Sequence, residues 1–92
     1  MTAQVFIARS QGGFIEVSVV KEGLSSGPGH KYEAVEARGV LLAFGFDSGF
    51  VDRQLKCLYE MSPNILLKFP VAEISDAILA SLGFAAAAFT PA

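Results

Sequence analysis

The sequence predicts an α+β domain: an N-terminal β-hairpin in a small antiparallel or mixed sheet, with about three helices packed on one face. Three observations predict it. Residues 4–21 alternate apolar and polar side chains around a Gly-Gly pair. Apolar residues then recur at spacings of three and four through 32–61. A short apolar run at 65–69 and one more helical stripe follow. The order is ββααβα, with room for a last strand, and a hairpin followed by helices favours helices gathered on one side of a sheet. At 92 residues the chain is expected to form one domain, 1–92.

Gln4-Val5-Phe6-Ile7-Ala8-Arg9 reads as the first strand. Ser10-Gln11-Gly12-Gly13 is a turn signal, because glycine tolerates the positive φ of tight hairpins. In Phe14–Lys21, Ile15, Val17 and Val19 point one way while Glu16 and Ser18 point the other. That period of two marks a half-buried strand. Gly23–Gly29, with three glycines and Pro28, reads as a flexible loop without regular structure.

Tyr32–Phe46 reads as the first helix, with Val35, Leu41, Leu42 and Phe46 apolar. Glu33 and Glu36 suit its positive N-terminus, Gly39 weakens it by about 1 kcal/mol relative to Ala, and Gly45 ends it. Asp47 or Ser48 caps a second helix, Gly49–Met61. Val51, Leu55 and Leu58 form its apolar face, while Asp52, Arg53, Lys56 and Glu60 face solvent. Ser62-Pro63-Asn64 stops it. Ile65–Phe69 reads as a short strand. Pro70 suits the first turn of a third helix, Val71–Leu82, striped by Ile74, Ile78 and Leu82 and stopped by Gly83. Ala85–Phe89 reads as a last strand or a tail.

Composition narrows the function. Hydrophobic residues make up 52% of the chain and charged residues 17%, against about 25% charged in an ordinary soluble domain. A chain this short buries only about 60–65% of its unfolded surface. Some apolar side chains are therefore expected at the surface or under a partner. The net charge is −2, and Arg9, Lys21, Lys31, Arg38, Arg53, Lys56 and Lys68 are spread along the chain. Proteins that grip duplex DNA cluster their cations, so sequence-specific duplex binding is not expected. One cysteine, Cys57, gives no internal disulfide. Met1–Arg9 lacks the features of a signal peptide, and Ala77–Ala92 is too short and broken to cross a bilayer. A cytoplasmic location without membrane contact is expected.

No constellation for chemistry emerges. His30 is the sole histidine, sits beside a Gly-Pro-Gly turn and has no orienting carboxylate in sequence. Cys57 is expected at the buried edge of the second helix, as a small hydrophobe. His30 and Cys57 are two candidates where structural zinc needs about four ligands. Asp47, Ser48 and Asp52 fall short of a calcium loop. The pairs Glu33/Glu36 and Asp52/Glu60 read as solvated helix-face acids. Gly23–Gly29 lacks the Gly-Lys-Ser/Thr ending of a phosphate loop. Phe6 and Phe14 lie on adjacent strands, where aromatics can stack bases, but Gln4, Glu16 and Ser18 make no basic frame. Core packing or protein contact is expected there. No enzymatic activity, cofactor or metal is expected.

In format the chain resembles the small phage-encoded anti-CRISPR proteins. The resemblance rests on the opening hairpin Gln4–Lys21, the Gly/Pro loop Gly23–Gly29, the following helices and the lack of catalytic residues. It implies a non-enzymatic inhibitor that binds a Cas protein or Cas–RNA surveillance complex and blocks target-DNA binding. It carries no residue roles over. The contact candidates drawn from the sequence are His30 and Lys31 beside the loop, and Arg53 and Lys56 on the polar face of the second helix. The alternative is a homo-oligomeric assembly module, or an accessory subunit, joined through a strand edge or the apolar C-terminus.

Overall fold

Strict alternation of apolar side chains sets the centre of the fold. In the computed structural model, which describes residues 2–27, 29–60, 65–84 and 89–91, β1 (Thr2–Arg9) and β2 (Ile15–Lys21) pair antiparallel from Ala3 opposite Lys21 to Arg9 opposite Ile15. Directly opposed residues share a face of the sheet. Ala3, Val5, Ile7, Ile15, Val17 and Val19 are buried on one side. Gln4, Phe6, Ala8, Glu16, Ser18 and Val20 lie half-buried on the other.

The segment expected to be a structureless loop contains a two-residue outer strand, Leu24–Ser25. Glu22 and Gly23 take φ of 51° and 78°, the two successive positive values of a type I′ hairpin turn. The chain then runs back along β2 as β3 (Leu24–Ser25), and later as β4 (His30–Tyr32). Between them the Ser26 side chain completes the ladder. The Val19 N–H donates to Ser26 Oγ at 2.9 Å, and the Ser26 N–H returns to the Val19 carbonyl at 2.8 Å. Beyond Ser26 the pairing slips by two residues, so that Val17 faces His30. Glycine content obscures this strand, because the glycines serve the turn and the slip while Leu24, Ser25 and Ser26 bond to β2.

On the opposite edge, β5 (Leu66–Lys68) and β6 (Ala72–Glu73) both pair with β1. The register shifts by one residue between them, which makes a bulge over Phe69-Pro70-Val71. Pro70 lacks an N–H and belongs in such a place on an edge strand. Phe69 donates its N–H to the Val5 carbonyl at 2.8 Å, and its own carbonyl accepts from Gln4 Nε2 at 3.0 Å. The expected helix from Val71 is therefore corrected. Pro70 opens a bulge, and the helix α3 is only Asp76–Ser81, capped by Ser75 Oγ accepting from the Ile78 N–H. Ile74, expected on its stripe, is buried just ahead of it.

The helices α1 (Ala34–Ala43) and α2 (Ser48–Glu60) bridge the two outer strands. Tyr32, expected in the first helix, belongs to β4. Glu33 is the N-cap, in a capping box with Glu36. Asp47 is the cap of α2, its Oδ2 accepting from the Phe50 N–H at 3.1 Å. α1 and α3 end alike. The glycine after each cap donates to the carbonyl three residues back, and the phenylalanine after it to the one five back. These are Schellman closures at Gly45-Phe46 and Gly83-Phe84. Gly83 is called for by its φ of 88°, and a Cβ there would also crowd His30 Cε1 at 3.2 Å.

Ala37, Val40 and Leu41 of α1, Val51, Leu55 and Leu58 of α2, and Leu79 of α3 join one core with the buried side of the sheet. Phe69 is fully buried, with the edges of Phe46 and Phe50 on it at 4.8 and 5.4 Å. The fold is α+β as expected, with an antiparallel sheet and all three described helices on one side. Its spatial order is β5/β6, β1, β2, β3/β4, and β7 (Thr90–Pro91) adds to β3. The last strand thus begins after Phe89, and Ala85–Ala88 and Ser62-Pro63-Asn64 lie outside the described residues. Ser26→Ala should leave the Val19 N–H without a partner and cost about 1–3 kcal/mol, read as a lower urea midpoint with an unchanged slope.

Candidate interaction surface

The side of the sheet away from the helices is a feature that packing alone does not explain. In register it forms three cross-strand rows. Lys68, Phe6 and Ser18 make one, and Leu66, Ala8, Glu16 and Lys31 make the next. Gln4, Val20 and Ser25 make the third. No described helix lies over it. Leu66 is 59% exposed, and Lys31 and Lys68 are exposed. Neither lysine has an ion-pair partner among the described residues. Glu16 turns toward the slip in the outer strand, its Oε1 3.0 Å from the site a Gly29 Cβ would take. At the far corner Glu73 accepts from the Thr2 hydroxyl at 2.7 Å. Hydrogen bonds from the N-terminus and from Thr2 hold its carboxyl below the ordinary range.

The four contact residues read from the sequence do not share a face. Lys31 stands opposite Glu16 and joins the open side. His30, one residue earlier, stands opposite Val17 and turns to the helix side. Its ring lies 4.1 Å from that of Phe84 and stacks with Tyr32 at 6.4 Å. The Tyr32 hydroxyl donates to the Leu82 carbonyl at 3.4 Å, and burial, then Glu36, pushes its pKa up. His30 thus packs as an aromatic between β4 and the end of α3. Arg53 and Lys56 lie on the outer surface of α2, Lys56 4.0 Å from Glu60. That surface is on the far side of the sheet from Lys31.

Phe6 and Phe14 do not occupy adjacent strands: Phe6 lies in β1 opposite Ser18, whereas Phe14 precedes β2, in the connection from β1. Sequence reasoning missed Val20, Leu66 and Lys68. The available signal was an apolar residue in the polar phase of an alternating strand: Phe6 between Val5 and Ile7, and Val20 after Val19. Leu66 and Lys68 carried no such signal, since a three-residue strand has too little pattern to fix its phase.

Cys57, expected at the buried edge of α2, is exposed. The buried face is narrower than the apolar pattern suggested, and Val51, Leu55 and Leu58 fill it. Among the described residues no three His, Cys, Asp or Glu side chains gather as metal ligands, and no buried polar side-chain atom lacks a partner. No helix among the described residues is long and apolar enough to cross a membrane.

On the helix side one charge is buried among the described residues. The Lys21 ammonium meets Asp76 Oδ1 at 2.6 Å and sits 5.7 Å from the Phe89 ring centroid. It ties β2 to the start of α3 and to the segment leading into β7. Arg38 joins α1 to α2 through Asp52, Nε to Oδ1 at 2.7 Å. Comparison with protein-family models, with curated proteins and with solved structures gave no match.

The hydrogen bond from Lys21, and then its charge, hold the Asp76 carboxyl below its ordinary 3.8. A carboxyl depressed in the folded state adds stability above its unfolded pKa and loses it as pH falls through the folded value. Stability should therefore decline below about pH 4, and Asp76→Asn should flatten that decline, measured as urea midpoints from pH 6 to pH 2.

Proposed function

We propose that this chain is a non-catalytic binding module that engages a partner protein through the open side of its sheet. One observation carries the reading: the side away from the helices sets Phe6, Ala8, Val20 and Leu66 side by side, half-buried or exposed, with Lys31 and Lys68 at its flanks, neither ion-paired among the described residues. Aromatic anchors amid apolar neighbours and a polar rim are the ordinary composition of a protein interface. His30, Arg53 and Cys57 supply no competing site, since His30 packs on Phe84 and the other two stand on α2, away from any clustered ligand set.

The resemblance to anti-CRISPR proteins gives this reading a partner class, a Cas protein or Cas–RNA complex, and an activity, the blocking of target-DNA binding. A gel-shift of target DNA by purified surveillance complexes tests that branch. Undiminished DNA binding at a large molar excess of the chain removes it.

The docking face itself is tested by Phe6→Glu with Leu66→Glu. Both positions are outside the core, so the variant should keep its circular dichroism spectrum. Proteins retained from host lysate by the wild-type chain should be lost from the variant, counted by mass spectrometry. Retention of the same proteins by both would overturn the reading.

A further inference from the structure

We propose that the free chain covers this face with the same face of a second copy, the two related by a two-fold axis that crosses the strands at the Gln4–Val20 row. The inference rests on the docking reading above and names what occupies the face before a partner does. Its ground is a self-complementary charge pattern that the edge bulge creates.

Lys68 and Glu73 are five residues apart, an odd separation that puts side chains on opposite sides of a regular strand. The bulge over Phe69-Pro70-Val71 takes up one residue. Lys68 therefore stands opposite Phe6 and Glu73 opposite Thr2, both on the side away from the helices. Gln4 lies midway between Thr2 and Phe6 on β1 and faces Val20. The cation and the acid are thus rooted on one edge of the sheet, each about 7 Å from the Gln4–Val20 row and on opposite sides of it.

A two-fold interface sets residue i of one copy against residue j of the other, and j against i. An axis along the Gln4–Val20 row exchanges the Lys68 and Glu73 positions, so Lys68 of each copy meets Glu73 of the other. Two reciprocal ion pairs then form with neither sign in surplus. The Thr2 hydroxyl, at 2.7 Å, holds Glu73 in place, and a carboxylate has about four acceptor sites in all. On the axis Val20 meets Val20 and Gln4 meets Gln4, while Phe6 packs over the Thr2–Gln4 end of the opposing β1. The strands of the two copies run opposed, within the roughly 30° of stacked sheets. Glu16 and Lys31 stand directly across from each other at the far end, beyond the rows that overlap.

The overlap is four strands wide and three rows long, about 19 Å by 20 Å. With the relief of the side chains included, the pair buries on the order of 1,000 Å², the low end for a specific contact. A second copy on this face is therefore exchangeable, and a partner of better fit displaces it.

Analytical ultracentrifugation of the full chain is the test. The wild type should be half dimeric somewhere between about 10 μM and 1 mM, in keeping with so small a contact, and less associated as salt rises. Lys68→Glu sets acid against acid at both pairs and Glu73→Lys sets base against base, so each variant alone should associate at least about tenfold more weakly. Mixed in equal amounts, the two present every acid to a base again, and the mixture should dimerise as the wild type does. Val20→Glu brings two carboxylates together on the axis and should be monomeric without any change to the pairs. Circular dichroism establishes that each variant is folded. A wild type that stays monomeric throughout this range would overturn the inference and leave the docking face in place, since lysate capture by Phe6→Glu with Leu66→Glu judges that face separately. Dimers that persist in Lys68→Glu and Val20→Glu, or a mixture that stays monomeric, would overturn the inference as well.

Discussion

The register of β1 against β2 is the constraint from which the rest of the sheet is hung. β1 carries β5 and β6 on its free edge, and β2 carries β3 and β4 on its own. A slip of one residue in the central pair would turn one of the two strands over against the other. Val5 and Ile7, or else Val17 and Val19, would meet water, and Phe6, or else Glu16 and Ser18, would face the helices. The alternation makes that exchange costly, at about 1.5–3 kcal/mol for each large apolar side chain exposed. The same alternation leaves a second side of the sheet with a composition of its own.

Both outer strands are interrupted, and each interruption is satisfied by a side chain from the chain itself. Ser26 Oγ stands in for a backbone acceptor opposite Val19, and Gln4 reaches the Phe69 carbonyl in the bulge. The bulge also lets Phe69 point inward, where Phe46 and Phe50 close on it. Phe46 comes from the Schellman turn of α1 and Phe50 from the first turn of α2, so the aromatic contact fixes the junction of the two helices over the edge of β1. At the other end of the layer, Phe84 from the turn after α3 meets His30 and Phe44. The helix ends thus add aromatic contacts to the attachment that Ala37, Val40, Leu41, Val51, Leu55 and Leu58 make from the helix bodies.

Features set by short-range periodicity were legible in the sequence. The hairpin, the apolar face of α2, the stop at Gly45 and the α+β class all follow from it. The outer strands were not legible. β3 and β6 are two residues long, and their pairing is decided by β1 and β2 rather than by their own pattern. Pro70 was ambiguous because a helix start and an edge bulge both suit a residue without an N–H. The candidate surface was half legible for a related reason. Lys31 was picked out by its place beside a loop, but its side of the sheet depends on the two-residue slip before it, which separates it from His30. Arg53 and Lys56 were correctly placed on the solvent side of α2, yet α2 itself lies across the sheet from Lys31. Lys21 read as an ordinary strand-end cation, and only the approach of Asp76 and Phe89 explains its burial.

The broken outer strands have one more consequence. A long, flat, unpaired edge invites strands of other molecules and seeds aggregation. Here one edge is split at Pro70 and flanked by Lys68, and the other is stepped beyond Ser26 and partly occupied by β7. Neither presents a run of backbone groups long enough to template a fibril. Among the described residues the sheet can be approached broadside but resists being lengthened from its edges.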